Sequence, residues 1–176
     1  MATNLNTGQR AERKLLITVA EWNVGTNTQE REILGTRTED SSIEFNADIE
    51  TMTDIRGITY TDVNKTEPQQ DFDPFFVLGG SKLAEYLSNA ALENNIAAYN
   101  GTFNVYIISA FIGSSSNGYS AVKHTGCSII PTSLGGDSYV SMPIEVHYSN
   151  NITSGTVDKL SDDFTFTATS NVNLTN

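Results

Sequence analysis

Residues 42–94 read SIEFNADIETMTDIRGITYTDVNKTEPQQDFDPFFVLGGSKLAEYLSNAALEN, and their patterning decides the fold. Ile43, Phe45 and Ala47 alternate with Glu44, Asn46 and Asp48, and further on Ile58 and Tyr60 alternate with Thr59 and Thr61. A period of two is the mark of a β-strand with one apolar and one wet face. The alternation predicts a hairpin with strands over residues 41–47 and 57–63, joined by a connection of about ten residues, which is long for a hairpin. Its wet face carries one sign of charge, because Glu39, Asp40, Glu44, Asp48, Glu50 and Asp54 follow one another with no Lys or Arg between them. A long ribbon charged in this way is not a core element.

The hairpin runs into a proline-marked link over residues 66–76, TEPQQDFDPFF, and then into the one helical pattern of the chain. Gly79 and Gly80 end the apolar run 75–78, and Ser81 is a natural N-cap for a helix over residues 82–94. Glu85 lies near the helix start, where the dipole favours a carboxylate, and Leu83, Leu87, Ala90 and Ala91 form a thin apolar stripe. So narrow a stripe places the helix against the flank of a sheet.

Working outward, residues 14–20 form a first, mostly apolar strand, and residues 103–112 are almost continuously apolar, as expected where both faces are covered. Residues 119–130 follow a turn, and 131–138 form a Gly-rich connection. In residues 139–149, Val140, Met142, Ile144, Val146 and Tyr148 alternate with Ser141, Pro143, Glu145 and His147, a half-buried strand. Residues 164–167 are a short last strand. The segments 1–13 and 168–176 are polar and aperiodic and read as arms. The sum is a mainly β domain over residues 14–167, a β-sandwich or partial barrel with one flanking α-helix and a long extended hairpin.

At 176 residues the chain fits one domain that can bury a core without staples. A formal net charge of −11 and an isoelectric point near 4.4 disfavour tight binding to duplex DNA or to an anionic membrane surface, both of which need clustered Lys and Arg. The single Cys127 excludes an internal disulfide and suits synthesis in a reducing compartment. Arg10, Arg13 and Lys14 before the apolar run 15–20 imitate a signal peptide, but that run is too short and Glu21 ends it. No stretch approaches the length of a membrane span.

Chemistry-bearing groups are sparse. Gly79-Gly80-Ser81-Lys82 before a helix could be an anion-binding turn, but the full nucleotide pattern is missing and a helix start accounts for it. His124 and Cys127, three apart on a strand, are expected on opposite faces. Glu145 and His147 share a face and are the best general-base pair available, yet no activated nucleophile, oxyanion turn or metal site accompanies them. The acidic run lacks the spacing of a calcium loop. No cofactor, metal site or enzymatic activity is expected.

The stretch from Glu39 through the helix resembles the major tail tube proteins of long-tailed bacteriophages, of the kind found in phages and prophages of Gram-positive bacteria. Residues 103–111, 122–131 and 141–156 continue the likeness in the same order, which covers roughly residues 15–167. The resemblance implies a structural subunit of the virion, made and assembled in the bacterial host cytoplasm. Six copies would close their sheets into one β-barrel ring, and the rings would stack into a tube through which phage DNA passes without specific binding. It implies contacts with further copies, the tape measure protein, and the tail-tip and terminator proteins. Under it, Glu44, Asn46 and Asp48 would line the lumen, and Glu50, Asp54 and Arg56 would lie in an inter-ring loop. Some relatives append an immunoglobulin-like domain, for which no room is expected after Phe166. The alternative from a different class is a β-sandwich binding or capsid-decoration module, although Trp22 stands alone and the tyrosines are dispersed.

Overall fold

The computed structural model describes residues 4–25 and 28–171. Its strands are β1 (Leu16–Asn23), β2 (Gln29–Ile33), β3 (Ile43–Glu44), β4 (Ala47–Thr53), β5 (Thr59–Thr66), β6 (Gln69–Phe72), β7 (Phe103–Ser114), β8 (Gly118–Pro131), β9 (Ile144–His147), β10 (Ile152–Val157) and β11 (Phe166–Asn171). One α-helix, α1 (Lys82–Leu92), followed by a short 3-10 turn at Ile96–Ala98, separates β6 from β7. All pairings are antiparallel, and the main sheet runs β2-β1-β7-β8-β9-β6-β3. The long β8 forks: residues 119–124 pair with β10, which carries β11, and residues 128–131 pair with β9. The sheet bends at that fork without closing into a barrel, giving the sandwich-like, mainly β architecture that the sequence predicts.

Strand β1 lies between two layers, so Thr18 to Trp22 are all buried despite alternating direction. On one side Ala20 and Trp22 join Phe72, Leu83, Leu87, Phe103, Val105, Ile129, Met142, Ile144 and Val146 in the larger core. On the other, Val19 joins Tyr106, Ile108, Ala121, Val157 and Phe164. The helix contributes Leu83, Ala84 and Leu87 to the larger core from the flank and also buries Ala90, as its thin stripe requires. A polar seam ties β6 to β1: the Gln70 carbonyl accepts from Thr18 Oγ1 (3.0 Å) and Tyr148 OH (2.6 Å), and its amide donates to Ser41 Oγ (3.0 Å). Gln70 is buried with its amide oxygen and nitrogen both bonded, which is what makes a polar group tolerable there.

Several sequence expectations shift. The strand expected over 139–149 begins only at Ile144, and Val140 turns outward. Strand β10 has no apolar alternation to announce it, because Gly155 sits beneath the Phe166 ring; a Cβ there would lie 2.6 Å from that ring and 2.4 Å from the Thr167 carbonyl. Strand β11 runs to Asn171, so the domain boundary expected at 167 falls inside a strand. The N-terminal arm is tied down in part. In β7 the register skips from Ser109 to Gly113, and Asn4 bonds the carbonyls of Phe111 (3.0 Å) and Ala110 (3.1 Å) that the bulge leaves over. Residues 1–3 and 172–176 of the two arms lie outside the described residues.

Candidate functional site

The feature without a structural purpose inside one chain is the β4–β5 hairpin. Every residue of both strands is exposed, seven in β4 and eight in β5, and their ladder is a separate two-stranded sheet. At about 3.3 Å per residue it projects roughly 23 Å from the body. A two-stranded ribbon in water is marginal by itself and presents unpaired N–H and C=O groups along both edges.

The hairpin is rooted in the main sheet. Ile43 and Glu44 pair with Gln70 and Gln69, the Glu67 amide donates to the Phe45 carbonyl (3.1 Å), and β4 resumes with Ala47 opposite Thr66. Asn46 sits at φ 44°, a left-handed value that Asn tolerates, and this kink swings the ribbon away from the sheet. The break corrects the sequence expectation. The strands are not 41–47 and 57–63, and Glu44, Asn46 and Asp48 do not alternate along one strand. Glu44 lies on β3, Asn46 at the kink and Asp48 on β4. The connection is five residues, 54–58, rather than ten, so Glu50 belongs to a strand whereas Asp54 and Arg56 remain in the turn.

Register sets the two faces. Ile49 opposes Val63, Thr51 opposes Thr61, and Thr53 opposes Thr59, whose hydroxyls meet at 3.1 Å. That face has aliphatic and threonine side chains and no charge. On the other face Glu50 opposes Asp62, with Asp48 and Lys65 below them and Met52 opposite Tyr60 towards the tip. Tyr60 therefore shares a face with the carboxylates, contrary to the simple apolar-against-wet division. Asn64 is the extra residue of a bulge and donates to Glu50 (3.4 Å), while Lys65 is paired with Glu67 (2.7 Å). Directly opposed carboxylates on a pleated face repel one another, so Glu50 and Asp62 do not serve the stability of the ribbon.

The tip is built from Asp54. Its carboxylate accepts from the amides of Arg56 (2.8 Å) and Ile58 (2.9 Å) and from Tyr60 OH (3.3 Å), and Gly57 supplies the left-handed φ of 79°. The Ile58 amide is the main influence holding the Asp54 carboxyl below its ordinary value. Ile55, at the apex, is fully exposed.

The remaining candidates are accounted for elsewhere. The amides at the start of α1 face the chain's own Glu32: Leu83 N donates to it (3.1 Å), and Ser81 Oγ donates to it (2.6 Å) while accepting from Ala84 N (3.1 Å). His124 and Cys127 are both buried, not on opposite faces, because β8 bulges at Gly126. The His124 ring packs on Tyr148 and bonds the Ser149 carbonyl (2.8 Å) through Nδ1, and burial lowers its basicity. Burial pushes the Cys127 thiol up, away from the thiolate. Glu145 and His147 do meet, at 3.3 Å, on the half-exposed face of β9; Ser128 faces His147 from β8, but its hydroxyl accepts from Gly101 N (2.9 Å) and donates to Asn100 (3.2 Å).

Sequence reasoning missed the buried Glu21. Its carboxylate accepts from Arg31 Nε (2.6 Å), Asn104 Nδ2 (2.7 Å) and Tyr106 OH (3.0 Å), with Lys123 at 3.6 Å. Arg31 lies over the Phe164 ring and donates to the Phe164 carbonyl (2.7 Å), so the cluster fastens the segment before β11 onto β1, β2 and β7. The one available signal was a lone Glu interrupting an apolar strand.

No family model matches the chain, and no curated protein does. Among solved structures the fold is similar to a chain of the six-fold symmetrised anti-feeding prophage baseplate, at 12% identity and a TM-score of 0.46, over 89% of this chain and all of that one. It is also similar to Hcp1 from Flavobacterium johnsoniae, at 14% identity and a TM-score of 0.35, over 80% of this chain and 95% of that one.

Proposed function

We propose that this chain is a structural subunit of a phage-tail-like tube, assembling with copies of itself into stacked rings and catalysing no reaction. The observation that carries the reading is the free-standing hairpin: a ribbon exposed on both faces and both edges needs a partner to pair with. A second copy supplies one, since a head-to-tail contact whose rotation closes gives a ring, and closure removes the lateral edges. The sequence resemblance supports the same assembly, with six copies to a ring, the tape measure, tail-tip and terminator proteins as neighbours, and the virion as its place.

The two faces of the hairpin then take different roles. The uncharged Ile49–Val63 face suits burial against a neighbour, and the Asp48, Glu50 and Asp62 face suits a water-filled lumen. Negative charge there would meet DNA phosphates across a gap comparable with the Debye length, roughly 8–10 Å at physiological salt. Repulsion at that range denies sticking sites without blocking passage. Negative-stain microscopy of the concentrated pure protein should show rings or tubes. A chain that stays monomeric at every protein and salt concentration, with or without a tail-tip complex to start assembly, is not a tube subunit.

A further inference from the structure

Two exposed apolar patches lie apart, one at the tip of the separate β4–β5 ribbon, which leaves the main sheet at one end of β6, and the other beside the opposite end of β6. The hairpin joins β6 at Gln69 through Glu67 and Pro68, beside His147 and Tyr148 at the end of β9. At the other end β6 stops at Phe72, opposite Ile144 where β9 begins, and the chain continues into residues 75–77. There the β8–β9 connection folds back along residues 75–77: Val77 N donates to the Val140 carbonyl (3.1 Å), and Gly135 and Ser141 exchange two backbone hydrogen bonds (3.0 and 2.7 Å). Gly136 makes this loop possible, since a Cβ on it would lie 2.1 Å from the Tyr139 carbonyl. The result is a cluster of exposed Val77, Leu134, Val140 and Tyr139, the last 78% exposed.

The hairpin tip is its counterpart. Met52, Ile55, Ile58 and Tyr60 are exposed around a turn that Asp54 holds in one shape. Charge matches as well as polarity. Arg56 extends from the tip with its side chain 70% exposed and only a 3.5 Å approach to Asp54. Asp137 is the one charged residue of residues 131–143, is exposed, and has no ion pair among the described residues. Resting on the tube reading, we infer that the tip of one copy seats on the Leu134–Val140 loop of the next copy along the axis, with Ile55 against Tyr139 and Arg56 against Asp137. Each copy uses both ends once, so the contact propagates without closing, as an axial contact must. The turn and the loop are both held by backbone hydrogen bonds, so little order has to be gained on docking.

The test uses the full chain in two arms. In the first, Arg56→Asp and Asp137→Arg should each lower the sedimentable fraction about tenfold by setting like charges together, and the double exchange should restore it. Unchanged thermal melts show that the variants are folded. In the second, Ile55→Cys mixed with Tyr139→Cys should form an intermolecular disulfide under mild oxidation, and the doubly substituted chain should give a covalent ladder. The native Cys127 is buried and remains a silent background. If particles form but the double charge exchange is no better than either single one, the assignment fails and the tube reading stands. The same holds if Ile55→Cys couples to Leu92→Cys, on the exposed end of α1, and not to Tyr139→Cys. If the unmodified chain forms no particles at all, both fail.

Discussion

Replacing residues 48–65 with an Asn-Gly turn should give a folded monomer that no longer assembles. Ala47 and Thr66 already face each other across the ladder, so a two-residue loop closes the shortened ribbon in a geometry that Asn-Gly favours. All but one of the excised residues are exposed, the exception being the half-exposed Asp54 in the turn, and their hydrogen bonds stay within the ribbon and its base. The two cores lose no member. Circular dichroism should show the same thermal midpoint within a few degrees, while sedimentation should show no particles under conditions where the intact chain polymerises. Tubes from the shortened chain would mean that the hairpin is not the assembly element. A collapse of the melt would mean that it supports the body.

Glu21→Ala should destabilise the monomer by about 3–5 kcal/mol, the range for removing one partner of a buried ion pair. The substitution leaves Arg31 and Lys123 facing each other without their shared counter-charge, and strands Tyr106 OH and the Asn104 amide. It also loosens the hold of Arg31 on the Phe164 carbonyl, so protection from hydrogen exchange should fall first in β10 and β11. Burial alone would push the Glu21 carboxyl up, but hydrogen bonds from Asn104 and Arg31 and the charges of Arg31 and Lys123 together hold it below its ordinary value of 4.5. A depressed carboxylate stabilises the fold fully above the unfolded value and loses that contribution as pH falls through the folded one. Wild-type stability should therefore decline below about pH 4.5, and Glu21→Ala should flatten part of that decline. Denaturant unfolding at pH 7 and pH 3 measures both effects, and a loss under 1 kcal/mol at pH 7 would refute the claim that this cluster fastens the C-terminal strands.

What the sequence made legible follows from burial. Strand β7 and helix α1 were readable because most of their apolar residues are buried, Leu92 at the exposed end of α1 being an exception, and Ser81 marks the helix start with the cap it makes. The hairpin existed in the pattern, but its limits did not, since a ribbon exposed on both faces has no inward side for hydrophobic alternation to report. Ile49, Met52 and Ile55 are as exposed as the acids between them, and the kink at Asn46 erased the phase between Ile43 and Ala47. Strand β10 was hidden for a related reason: Gly155 contributes by lacking a side chain. Glu21 was hidden because four partners from β2, β7 and β8 assemble only in three dimensions.

The opposition of Glu50 and Asp62 bears on timing. An edge that is ready to pair is also ready to pair wrongly, and a chain made in quantity before any template exists would be prone to premature fibres. In the proposed tube, facing carboxylates would make the first encounter between two ribbons unfavourable, whereas joining an existing end would gain apolar burial that offsets the repulsion. Under the tube reading proposed above, growth would be favoured over nucleation, the lag before spontaneous polymerisation should shorten as added salt screens these charges, and a soluble reservoir would persist until a starting platform is present.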